Sequence, residues 1–153
     1  MSKSLIEDEK SENIKTYMLN SLNGSNYDIA LYIFHKYRND FVCSTIRKNM
    51  LMKFKNNIPK KIPPRQWYQY KNDKLIEVDE IEFKKKISEV AKDYSILAKN
   101  LCNKLSEIND KKNLENEMKN IRKSIRISHK LRSIYYIPNV LCECRDLFYI
   151  NMF

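Results

Sequence analysis

Five cations fall at helical spacing in the C-terminal third of this 153-residue chain: Lys119, Arg122, Lys123, Arg126 and Lys130. At 3.6 residues per turn they share an arc of about 100°. No acidic residue occurs from Met118 through Cys142. Such a stripe can follow a phosphate backbone, one cation to each phosphate. The alternative is a solvated face of a basic protein. A second basic set, Lys53, Lys55, Lys60, Lys61 and Arg65, stands beside Trp67, Tyr68 and Tyr70. Charges interleaved with rings suit a single strand, with phosphates on the charges and bases on the rings. Packing of Trp67 and Tyr70 against a helix is the competing role.

Other chemistries find little support. Gly24 is the only glycine, so there is no phosphate-cradling loop and no G-K-[ST] to hold Mg²⁺. That excludes an NTPase for this chain alone. Cys142-Glu143-Cys144 has one intervening residue, not the two to four of zinc sites. His35 and His129 lie far from it and read as solvated helix positions. None of Cys43, Cys102, Cys142 and Cys144 has a base beside it in a defined turn, as nucleophilic catalysis needs. The carboxylate cluster Asp79-Glu80-Glu82 falls at a helix start and complements its dipole. No catalytic residue, metal or cofactor is expected.

Composition agrees with a basic, helix-rich domain. The net charge is +10 with 42% apolar residues, one Gly and four Pro. The charge is uneven: residues 1–40 carry 5 basic and 6 acidic groups, residues 41–86 carry 12 and 5, and residues 87–153 carry 12 and 8. The excess after residue 40 is the footprint expected of a nucleic-acid or anionic-surface partner. The N-terminal MSKSLIEDEKSE lacks the apolar core of a signal peptide, and no window is apolar enough to span a bilayer. The four cysteines show no disulfide spacing. An intracellular protein with reduced thiols, not secreted, is the expectation.

These residues must be positioned by a few strong elements. Residues 4–22 pattern as a helix, 21–26 as a loop, and 26–40 as a helix capped by Ser25 or Asn26. Phe41–Ile46 and Leu51–Lys55 read as a hairpin, and Gln66–Tyr70 with Lys74–Val78 as a second around residues 71–73. Between them, Pro59, Pro63 and Pro64 mark an exposed basic loop. Asp79 caps the longest helix, about 80–109, with a stripe from Phe83 through Ile87, Val90, Ala91, Tyr94, Leu97, Ala98, Leu101 and Leu105 to Ile108. Asn109-Asp110 turns the chain into a helix over about 111–136. There Leu114, Met118, Ile121 and Ile125 make one stripe, and Ile127, Leu131 and Ile134 another. Pro138 opens a last helix over 138–148. The expected fold is α+β and helix-rich, with small antiparallel hairpins (about 41–55 and 66–78) packed on a long antiparallel helical hairpin. Residues 1–25 read as an N-terminal helix and loop, and 26–153 as a single α+β domain.

The order of FVCSTIRKNM, LMKFKNN, QWYQYKND with KLIEVD, then FKKKISEVAKDY resembles the region preceding the superfamily 3 helicase domain in primase–helicases of large nucleocytoplasmic DNA viruses, of mimivirus and poxvirus type. Phe41–Ile46 and Phe83–Tyr94 carry the likeness. Leu51-Met52-Lys53-Phe54 stands where that family has an aromatic pair, and Ile58–Arg65 looks like an insertion. Cys142–Tyr149 is similar to the helix before the family's ATPase domain. The resemblance implies an accessory, non-catalytic module of an ATP-dependent DNA helicase, without the ATPase. It also implies a host cytoplasmic or virion setting, single-stranded or forked DNA as partner, and a superfamily 3 helicase subunit as a second. A rival reading is an interaction or self-association module with no nucleic-acid contact.

Overall fold

The computed structural model describes residues 13–45 and 65–151. A helix over 13–20 (α1) tightens into a 3₁₀ turn at Ser21–Asn23 and stops on Gly24. The single glycine sits where φ is +83°, a left-handed conformation that costs other residues a steric penalty. Ser25 caps α2 (Asn26–Tyr37), its hydroxyl accepting the Asp28 N–H at 3.1 Å. Three strands follow: β1 (Phe41–Thr45), β2 (Arg65–Lys71) and β3 (Lys74–Val78). Then come α3 (Glu80–Lys104), α4 (Lys111–Lys130) and α5 (Ile137–Leu147).

The α+β class with an antiparallel sheet against long helices is as the sequence leads one to expect. The hairpin of β2 and β3 closes on Asn72 and Asp73, at φ 50° and 62°. Two adjacent positive φ values match the two-residue turns whose twist suits antiparallel strands, and Asn and Asp tolerate them best. The partner of β1 differs from expectation. It pairs antiparallel with β2, Cys43 opposite Trp67, in a sheet ordered β1-β2-β3. Its other edge is taken at Cys43, whose N–H donates to the Phe148 carbonyl (3.0 Å) and whose carbonyl accepts the Ile150 N–H (2.9 Å). Local periodicity cannot foresee a strand pairing with a partner more than 20 residues on, and residues 51–55 lie outside the described residues.

One aromatic cluster joins sheet and helices. Phe83 from α3 stacks on Trp67 from β2 (centroids 4.0 Å apart) and meets Phe41 and Phe148 edge-on at 5.3 and 5.0 Å. Such pairs add about 0.5–1.5 kcal/mol each beyond area burial. The α3 stripe Phe83, Ile87, Val90, Ala91, Tyr94 and Ala98 is buried as its periodicity requires. The helix ends at Lys104, short of 109, and passes through a 3₁₀ turn at Leu105–Glu107. From the N-terminal side, Ser21 Oγ and Tyr94 Oη lie 2.5 Å apart, and Leu22 belongs to the same core.

Helices α3 and α4 form the expected hairpin, and their contact is polar at its centre. Ser128 Oγ donates to the Ala91 carbonyl (2.8 Å) and lies 2.7 Å from Ser95 Oγ. Small residues on both helices let the two backbones approach there. Two expectations for α4 are corrected. It stops at Lys130 rather than 136, because Leu131 caps it and Arg132–Tyr136 form a run of turns. Its buried face is Ile121, Ser124, Ile127 and Ser128, so Met118, Ile125 and Ile134 stay exposed. Two serines share that face with the isoleucines: Ser128 reaches the Ala91 carbonyl, and Ser124 Oγ donates to the Asn120 carbonyl at 2.8 Å.

Candidate nucleic-acid interface

The cationic stripe follows from how α4 is anchored. Asp110 caps the helix by accepting the Lys112 N–H at 3.2 Å, and the buried face points to α3 and the core. The opposite arc must then meet water. Lys119, Arg122, Lys123 and Arg126 are exposed along it, and Lys130 is half-buried with Nζ 5.1 Å from the centre of the Tyr136 ring. Among the described residues none of the five has an ion-pair partner. Elsewhere several cations are neutralised: Lys36 by Asp93, Arg65 by Asp146, Arg145 by Glu80. Glu115 shares the arc one turn before Lys119. The uninterrupted cationic surface therefore starts at Lys119.

The second basic set does not join this stripe. Lys53, Lys55, Lys60 and Lys61 lie outside the described residues. Arg65 opens β2, where its Nη1 donates to Asp146 Oδ1 (2.6 Å) and its guanidinium sits 5.2 Å from the Tyr149 ring centre. It ties the sheet to the C-terminal end of the chain.

Trp67 is corrected from a base platform to a core residue. It is 1% exposed, with one ring face covered by Phe83. Its indole N–H donates to Glu80 Oε2 at 2.9 Å, and Arg145 grips the same carboxylate through Nε (2.9 Å) and Nη2 (2.6 Å). The Arg145 guanidinium, helped by the indole, holds the Glu80 carboxyl below its usual range despite partial burial. Glu80 thus does more than complement the helix dipole. Sequence spacing offered no signal for this three-membered link, because Arg145 is 65 residues away. Tyr68 is buried too, which leaves Tyr70 as the exposed ring of the QWYQY strand. Tyr70 borders an open groove of about 460 Å³ with Arg38, Asn39, Asn72 and Asp73.

The other reactive groups among the described residues are spread through the fold. Burial pushes the Cys43 thiol up to about 11 and raises that of Cys144 as well, which opposes thiolate chemistry. His35 stacks on Tyr17 (3.8 Å) and is held below its usual range, chiefly by burial and then by Arg38. Among the described residues no three His, Cys, Asp or Glu side chains are grouped to hold a metal ion. Nor is any described helix long and apolar enough to cross a membrane.

Compared with known proteins, the chain matches no family model and no curated protein.

Proposed function

We propose that this protein is a non-catalytic module that binds nucleic acid through phosphate contacts along α4. The setting is the one its sequence resemblance implies, beside a superfamily 3 helicase in viral DNA replication. The observation that carries the reading is the arc of Lys119, Arg122, Lys123, Arg126 and Lys130, without an ion-pair partner among the described residues and in a segment without a carboxylate. Five unneutralised cations repel one another, and a polyanion relieves that repulsion while releasing its own counterions.

Fluorescence anisotropy with labelled single-stranded and forked DNA tests it. Reversing charge at Arg122, Lys123 and Arg126 together to Glu should weaken binding about tenfold or more at low salt. Binding unchanged by the triple reversal would remove α4 as the site.

One observation favours a second reading, an interaction module. Strand β3 has no partner on its outer edge among the described residues, and Leu75 and Ile76 on it are exposed. Such an edge can template pairing with another chain. Light scattering showing a salt-independent oligomer, with no DNA binding, would favour this reading over the first.

A further inference from the structure

Ile134 and Tyr135 are 76% and 86% exposed, more than any other large apolar side chain described. They occupy the turn between α4 and α5, and that turn is held in place. The N–H groups of Tyr136 and Ile137 both donate to the Ser133 carbonyl, each at 3.1 Å. Ser133 Oγ accepts the Tyr135 N–H at 3.3 Å. Tyr136 is anchored by its hydroxyl, which donates to Asn26 Oδ1 at 2.5 Å, and the flanking Leu131 and Ile137 are buried. A fixed turn thus holds an aromatic ring out in water with its faces open.

The place of the turn gives it meaning. Lys130, the last cation of the stripe, reaches to 5.1 Å from the Tyr136 ring centre, so the cationic track runs into this turn. We propose that Tyr135 is a stacking platform for a base of single-stranded nucleic acid whose phosphates follow α4. The inference rests on the phosphate-binding reading above and adds to it a preference for unpaired bases. The cations recur about once per 5.4 Å turn, which suits a chain of phosphates more than a single anion. Stacking on an aromatic ring is open to any base, but only where the base is not already stacked in a duplex. The aromatics of β2 are less suited: Trp67 and Tyr68 are buried, and Tyr70 shares its groove with the Asp73 carboxylate. A membrane fits less well. The cations recede from the tip along roughly 16 Å of helix instead of surrounding it, and two apolar side chains give a small insertion surface.

The test measures affinity of the full chain for a short labelled thymidine strand, for the same strand made abasic, and for a duplex. Tyr135→Ala should weaken binding to the base-bearing strand by about 5- to 150-fold, the range of one base–aromatic stack. It should leave binding to the abasic strand and the duplex unchanged. Tyr135→Phe should bind like the parent, and Tyr135→Leu like the alanine variant, because planarity and not apolar area is what counts. Three results would overturn the proposal. In the first, Tyr135→Ala matches the parent on the base-bearing strand while neutralising Arg122, Lys123 and Arg126 weakens binding; stacking then fails and the phosphate reading stands. In the second, Tyr135→Leu binds as well as the parent, or the tip instead drives co-sedimentation with phosphatidylserine vesicles; the turn is then an apolar docking or membrane element. In the third, the parent binds none of the three probes at low salt, and both readings fall together.

Discussion

Truncating Trp67 to alanine should cost stability and leave nucleic-acid affinity intact. The side chain is 1% exposed, stacks on Phe83 at 4.0 Å, lies 5.5 Å from the Phe148 ring centre and donates to Glu80. Removing a buried aromatic of this size costs about 3–5 kcal/mol, from lost transfer energy and the cavity left behind. The lost hydrogen bond adds little, because Glu80 keeps both bonds to Arg145 and is partly solvated. For a chain of this length that loss lowers Tm by roughly 6–20 °C. Urea unfolding followed by far-ultraviolet circular dichroism measures it, and anisotropy below the variant's transition measures affinity. Trp67→Phe, which keeps a ring on Phe83, should lose only about 1–2 kcal/mol. As the only tryptophan, Trp67 also reports directly: saturating DNA should leave its emission unchanged. A stability loss under about 1 kcal/mol, combined with lost affinity or quenched emission, would refute the core assignment.

Two further perturbations test the packing around this core. His35 is held neutral by burial and by Arg38, so its folded pKa lies below the ordinary 6.5. Its contribution to stability is present above pH 6.5 and is lost as pH falls below it, since the unfolded chain takes the proton first. The urea midpoint should therefore drop between about pH 7.5 and 5.5 in the parent and drop less in His35→Gln; equal drops would show that His35 is not the titrating group. Ser44 is buried in β1 and its hydroxyl has no hydrogen-bond partner among the described residues. An orphaned buried hydroxyl costs on the order of 1–3 kcal/mol, so Ser44→Ala should raise the urea midpoint with an unchanged slope, and a lowered midpoint would show that the hydroxyl is satisfied.

Helix α3 was legible because its apolar residues kept one phase, and the expected caps Ser25 and Asp79 each accept a backbone N–H of the turn that follows. The hairpin of β2 and β3 was legible because its turn residues and alternating strands lie within a dozen positions of one another. What sequence could not show depended on distance or shape. β1 found its neighbours in β2 and in residues 148–150, and no local pattern encodes that choice. Ser124 and Ser128 joined the buried face of α4 because each hydroxyl finds a backbone carbonyl there, Asn120 for Ser124 and Ala91 for Ser128. The same rotation left Ile125 exposed and turned the cationic arc outward. That arc was visible from spacing alone, since like charges at three- and four-residue intervals must share a face. The exposed turn at Tyr135 was not, because Ile134 looks like the continuation of the stripe begun by Ile127 and Leu131 and so extends the helix past its true end.

The most direct measurement is the salt dependence of single-strand affinity. Five phosphate contacts along α4 predict a slope of log K against log salt of about −3.5, or roughly a hundredfold loss of affinity between about 50 and 200 mM. Neutralising Arg122, Lys123 and Arg126 to alanine leaves two contacts, so the slope should fall to about −1.4 and the loss to roughly sevenfold. A parent slope near zero, or a triple variant whose slope matches the parent, would contradict α4 as the phosphate-binding surface.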